Sequence, residues 1–325
     1  MLLGGPLSRV CAIAAVFTLT CSASLAGVSR YCDSQVPLSA GQQSKLLRFS
    51  EVVKAELAAS GQAVALLSRS GLDLARFGIR YSHAGFSLKS SPNTPWSIRQ
   101  LYYACEEQKP RIFDQGMAGF VLGTDSAAIG YVSAVLLPPE AAKLVEAAAL
   151  DNPQALALLH PHYSANAYAY SLRFQNCNQW VIELLATALG ALKGSGQLSK
   201  EVPQGVEQDE AYPATRPNAR ATAQSWLHQQ GYLPSAVQVG SRLLMWAGAF
   251  IPLIHRDDHP EADLAQQRYQ VSMPASIEGF VQAKMPGTQR IEFCHNAQHI
   301  IIHRGWSPVA EGCVPGPEDQ VIALD

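Results

Sequence analysis

Apolar residues recur along this chain with two different periods, and the order of those periods predicts the fold class. From Gln42 to Ser60, behind Ser39, residues Leu46, Phe49, Val53 and Leu57 fall at three- and four-residue steps, and Gly61 ends the run. That spacing puts one apolar stripe on a helix with its own start and stop signals. Five shorter runs follow: Ala63 to Leu67, Ile79 to Leu88, Ser97 to Ala104, Arg111 to Phe113 and Ile129 to Leu137. Gly, Pro and Asn/Asp divide them, so they read as strands. Glu140 to Leu150 and Gln154 to Leu159 read as helices, with Pro139 and Pro153 near their starts. A short strand, Ala167 to Phe174, leads to a helix from Cys177 to about Leu192. A helix followed by a block of strands predicts an α+β fold.

The rear of the chain is less regular. The stretch 193–218 holds Gly194-Ser195-Gly196, Pro203, Pro213 and Pro217 and reads as a linker or long loop. Beyond it, Ala221 to Gln230 and Ser276 to Lys284 read as helices, and Arg290 to His295 with His299 to Arg304 as a hairpin. Leu243 to Ile254 is strongly apolar but contains Gly248 and Pro252, and it is too short for a membrane span, so a buried core element is expected. At the front, Arg9 precedes the apolar run Val10 to Leu19, and Ser24-Leu25-Ala26 offers small residues at cleavage positions. This pattern predicts a secretory signal cut after Ala26. Lipidation at Cys21 is the alternative, disfavoured by Thr20 before it. The expected divisions are a signal peptide at 1–26, a domain at 27–192, a linker at 193–218 and a C-terminal α+β extension at 219–325. A periplasmic or secreted protein is expected, with no transmembrane helix in the mature chain.

Composition narrows the function classes. With 48% hydrophobic residues in 325, the chain can bury a sizeable core, which excludes disorder. Its 24 Lys+Arg against 26 Asp+Glu show no basic run, so nucleic acid is not an expected partner. No cofactor is expected either.

The cysteines change the picture most. Seven are present, and removal of 1–26 takes away Cys11 and Cys21, leaving Cys32, Cys105, Cys177, Cys294 and Cys313. Five is odd, so in an oxidising compartment one thiol is left over. Favoured bridges are Cys294 to Cys313 and Cys32 to Cys105, with Cys32 to a rear cysteine as the alternative.

Cys177 shares a helical stripe with Val181, Leu184, Leu185 and Ala188, in the first turn behind Asn176, a good N-cap residue. A helix start favours the thiolate, the nucleophilic form. His83, in Tyr81-Ser82-His83-Ala84-Gly85-Phe86, supplies a strand-borne proton acceptor, and Gly85 on the same face leaves room for a neighbouring group or ligand. Papain-like thiol enzymes use a helix-terminal Cys facing a strand His. The reversed chain order here is no obstacle, because such pairs are defined by geometry. Gln100, which shares a strand face with Tyr102, is the candidate for orienting the imidazole, and Asp114 is another option. Taken singly, Cys177 also reads as a small core residue and His83 as a structural histidine.

Three segments together, Ser82-His83-Ala84-Gly85, Tyr102-Tyr103-Ala104-Cys105-Glu106 and Phe174-Gln175-Asn176-Cys177-Asn178-Gln179, resemble an uncharacterised family of exported bacterial proteins. That likeness runs over most of the mature chain, including His255 to His259 and Met273 to Ile277. The family in turn resembles the circularly permuted papain-like superfamily that includes lecithin retinol acyltransferase and bacterial cell-wall amidases. This second likeness covers about Ala40 to Leu192. It implies a sheet packed on a Cys-bearing helix.

The expected function is a cysteine hydrolase (amidase or peptidase) or acyltransferase on a cell-envelope peptide, glycan or acyl substrate. Cys177 would be the nucleophile, His83 the base and Gln100 the orienting group. Asn176, Asn178, Gly85 and Tyr102 would support substrate or oxyanion, beside backbone N–H groups at the helix start. Two alternatives stand beside it. One is a non-catalytic envelope binding protein. The other is a metal-dependent hydrolase at His255-Arg256-Asp257-Asp258-His259, a segment that reads more simply as a solvated charged turn.

Overall fold

The computed structural model describes residues 38–124, 126–193, 218–248 and 250–324. The expected signal peptide, Cys32 and nearly all of the expected linker lie outside the described residues. In chain order the elements are α1 (Ala40–Ala59), β1 (Val64–Arg69), β2 (His83–Leu88), β3 (Ser97–Ala104), β4 (Lys109–Gln115), α2 (Met117–Leu122), β5 (Gly130–Leu136), α3 (Pro139–Leu150), α4 (Asn152–Ala157) and α5 (Cys177–Lys193). There follow α6 (Ala219–Gln229), β6 (Ser235–Gln238), α7 (Arg242–Gly248), α8 (Glu261–Ala265), β7 (Arg268–Val271), α9 (Pro274–Lys284), β8 (Gln289–His295), β9 (His299–Arg304) and β10 (Gln320–Ala323).

Eight strands make one antiparallel sheet in the order β10-β9-β8-β5-β1-β2-β3-β4, and β6 and β7 pair separately. The α+β class is therefore as expected. Gly130–Leu136 of β5 pairs with Gln289–His295 of β8, so strands from the rear of the chain extend the same sheet as the front.

Alternation along the strands sends side chains to two apolar layers. Val64, Leu66, Ala84, Phe86 and Val135 meet Trp180, Val181, Leu184 and Leu185 of α5 on one side. Ala65, Leu67, Ile98, Ala134 and Leu136 meet Leu46, Phe49, Val53 and Leu57 of α1 on the other. Because both faces are covered, β1 and β5 are buried along their whole length. A capping box between Ser39 and Gln42 starts α1 as the sequence implies.

A buried polar cluster fixes α5 to α6. The Glu183 carboxylate accepts from Arg220 Nε at 2.9 Å and Nη2 at 3.1 Å, and from Gln175 and Gln224, each at 2.7 Å.

Two expected elements take a different form in the structure. Ala167 to Phe174 is not a strand, because side chains take the backbone partners a ladder would need. Gln179 Nε2 donates to the carbonyls of Tyr168, Ala169 and Ser171, and the Arg220 guanidinium donates to those of Ser171, Leu172 and Phe174. Leu243 to Ile254 is not a buried element either. It forms α7 and turns, with Leu243 71%, Trp246 57% and Phe250 72% exposed.

Cys294 and Cys313 are bridged, as expected. Cys105 is also disulfide-bonded, while Cys177 is a free, buried thiol. Among the described residues no helix is long and apolar enough to cross a membrane.

Candidate functional site

Cys177 is the first residue of α5. Asn176 caps the helix, its Oδ1 accepting from Gln179 N at 2.7 Å, and Cys177 joins the apolar layer behind it. Asn178 turns the other way, and its Nδ2 donates to the Ser82 carbonyl at 3.0 Å. This bond ties the residue after Cys177 to the residue before His83. Cys177, Asn178, Ser82 and His83 all line one cavity of about 730 Å³.

Strand alternation gives His83 the same side of β2 as Gly85 and Ser87, opposite Ala84 and Phe86, which pack on α5. His83 and Cys177 are each the first residue of their element, and both line the cavity. His83 Nε2 bonds Gln100 Oε1 at 2.5 Å, and Gln100 Nε2 donates to Gln115 Oε1 at 2.8 Å. The second bond orients the Gln100 amide. An amide oxygen can only accept, so the network assigns the imidazole proton to Nε2 and leaves Nδ1 as the basic nitrogen. Asp114, the other option for this role, is occupied by Arg99 through two bonds of 2.8 and 2.7 Å.

Gly85 and Asn176 depart from the roles expected of them. The space beside Gly85 belongs to β3, since a Cβ there would lie 2.5 Å from Ile98 Cγ2 and 2.9 Å from the Arg99 carbonyl. Gly85 lets β3 approach closely and so brings Gln100 to His83. Neither Gly85 nor Asn176 lines the cavity, whereas Tyr102 does. Gly85→Ala is expected to cost about 1–3 kcal/mol by overpacking, read as a lower urea midpoint, and an unchanged midpoint would contradict the close approach.

Electrostatics keep the pair neutral. Burial pushes the Cys177 thiol up to about 11, outweighing a hydrogen bond from Tyr163, the N–H groups of Asn178 and Cys177, and the charge of Arg69. The thiolate expected from the helix start is therefore not the resting form. Burial holds His83 down to about 3, with Arg69 pulling the same way and the bond to Gln100 opposing. Near pH 7 the cavity is therefore lined by a protonated thiol and a neutral imidazole.

Arg69 and Tyr163 were not singled out from sequence. Arg69 ends the apolar run of β1, and its buried guanidinium lies 5.3 Å from the Phe120 ring centre and donates to the Gly123 carbonyl. A charged residue closing an apolar strand was a usable signal. Tyr163 sits in an irregular loop with its ring 5.2 Å from that of Tyr103, and no periodicity marks it.

The His255–His259 turn is buried rather than solvated at Asp258 and His259. Asp258 Oδ2 accepts from Tyr168 N at 2.9 Å, His259 Nε2 bonds the Asn166 carbonyl at 2.7 Å, and His255 stacks on Phe174 at 4.1 Å. These contacts fasten the loop before α5. Among the described residues no group of three or more His, Cys, Asp or Glu is placed to hold a metal ion.

Compared with known proteins, residues 56–281 match the model of a family described as "Uncharacterized protein conserved in bacteria (DUF2145)". No curated protein and no solved structure matches the chain.

Proposed function

The chain belongs to this bacterial family, and from that premise we propose that it is an exported cysteine hydrolase or acyltransferase of permuted papain-like architecture, acting through Cys177 and His83. The observation that carries the reading is the Asn178–Ser82 bond, which binds the two elements together at the one cavity that both residues line. The predicted signal sequence supports action in the cell envelope.

In this reading Cys177 Sγ attacks the carbonyl carbon of an ester or amide while its proton passes to His83 Nδ1, and the carbonyl electron pair moves to oxygen. The N–H groups of Cys177 and Asn178, which favour negative charge on the sulfur, receive the developing oxyanion. Collapse breaks the bond to the leaving alkoxide or amine, which takes the proton from His83 and leaves a thioester on Cys177. Water, or an acceptor hydroxyl or amine, then attacks the thioester and gives its proton to His83. The departing thiolate recovers that proton. Because the resting pair is neutral, proton transfer accompanies attack rather than preceding it. Gln100 holds the imidazole in the required tautomer.

The test is turnover of a panel of esters, amides and acyl donors by the mature protein, with intact mass to find an adduct on Cys177. Cys177→Ser and His83→Ala are each expected to lower turnover by about 100-fold or more. The high pKa of the thiol favours a second reading, a binding protein that uses the same cavity. Ligand binding without turnover, and without any adduct on Cys177, would select that reading and overturn the first.

A further inference from the structure

The cavity has two chemically distinct parts. One carries Cys177, His83, Tyr163 and Arg69. The other is walled by a separate apolar cluster in which Leu74, Ile79, Val237 and Val239 pack against buried Met245, Tyr269, Val271 and Met273. No Asp, Glu or Lys is among the described lining residues. A peptide amine would find no acidic partner there, and Leu74, Ile79, Val237, Val239 and Val271 offer a glycan no side-chain hydrogen bond, the polar groups of this part being Gln238 and Tyr269. An unbranched aliphatic chain needs only such a wall.

The second observation lies outside. Helix α7 has two apolar faces. Met245 is buried and lines the cavity, while Leu243, Trp246 and, just beyond the helix, Phe250 are exposed. A contiguous exposed patch containing Trp marks a binding surface, and Trp, Phe and Leu beside a cation are the residues that settle at a bilayer interface. Arg242 opens the helix and suits lipid headgroups. The same short stretch thus borders both the cavity and the patch, with Leu244 lining the one and exposed beside the other.

We propose that the cavity is an acyl-chain pocket loaded from a lipid surface: α7 rests on the bilayer, and a long unbranched chain enters beneath it to lie along the Val237–Val239 wall with its carbonyl at Cys177. This deepens the cysteine-enzyme reading and rests on it only for the chemistry at the carbonyl.

Binding is measured with cis-parinaric acid, a fluorescent unbranched chain, on Cys177→Ser protein, so that a failure of the catalytic reading leaves the result intact. One-to-one saturable binding is expected. Val239→Trp and Ala247→Phe, which fill the pocket from two positions, are each expected to weaken it at least tenfold with circular dichroism unchanged. Absence of saturable binding, or equal affinity in both folded variants, would overturn the pocket. Trp246→Ser/Phe250→Ser should keep the affinity for monomeric acid yet slow its transfer from phosphatidylglycerol vesicles at least fivefold. An unchanged transfer rate would overturn loading from a lipid surface.

Discussion

Replacing Arg220 with alanine is expected to lower the unfolding free energy by roughly 3–5 kcal/mol, seen as a large shift of the urea midpoint. Both Arg220 and Glu183 are buried, and among the described residues Arg220 alone supplies a formal positive charge to the Glu183 carboxylate. Removing it leaves that carboxylate to Gln175 and Gln224 and strips donors from three carbonyls in the loop before α5. The cost is the uncompensated charge rather than the worth of the pair. Arg220→Met combined with Glu183→Leu should therefore recover most of the loss, since an apolar pair of similar volume is often neutral. A loss below about 1 kcal/mol for Arg220→Ala would show that the neutral donors suffice. Loosening α5 would also be felt at Cys177, which begins that helix.

The second large effect is acid instability. His295 is buried with its ring 4.7 Å from Phe49, and a Cβ on Gly130 would lie 2.6 Å from its Nε2. Burial holds it down to about 4, with the Asn296 backbone opposing. The unfolded chain takes up a proton near pH 6.5 while the folded chain does not, so the unfolded state binds more protons between about 6.5 and 4. This part of the stability is intact above pH 6.5 and is lost as pH falls toward 4, by about 3 kcal/mol in all. His83, also held low but partly exposed, adds a smaller loss in the same direction. Buried Glu278, whose carboxyl is held above its usual range, acts oppositely but equally in wild type and variant. His295→Leu is expected to flatten the stability profile by about that 3 kcal/mol across the interval. Parallel profiles for the two proteins would remove His295 as the cause.

What the sequence made legible follows from range and period. Helix α1, helix α5 and the β8–β9 hairpin carry long apolar patterns with clear end signals, and their observed bounds lie within a residue or two of those expected. Pairing of Cys294 with Cys313 needed only that hairpin and a nearby tail. Strands β6, β7 and β10, each of four residues, are too short for a period to show. Leu243 to Ile254 misled because hydrophobicity does not say which solvent a segment faces, and here much of it faces outward. In the site, Gln100 could be picked out because its strand follows that of His83, and its Oε1 accepts from His83 Nε2. The neutral state of Cys177 could not be read, because the helix start and burial act in opposite directions and only packing decides between them. The Glu183–Arg220 cluster joins residues 37 positions apart in sequence, across an unpatterned stretch.

The strand order also governs how the chain can be cut. The family match ends at residue 281, inside α9 and before β8. A fragment trimmed to the matched span would leave the seven-residue ladder of β5 without its neighbour, exposing a long apolar edge of unpaired backbone groups. It would also begin within the last turn of α1 and drop Arg290, the basic partner of buried Glu278. Such a fragment would aggregate through that edge, so the smallest autonomous folding unit must reach from α1 through the β8–β9 hairpin, although Cys177 and His83 both lie within the front of the chain.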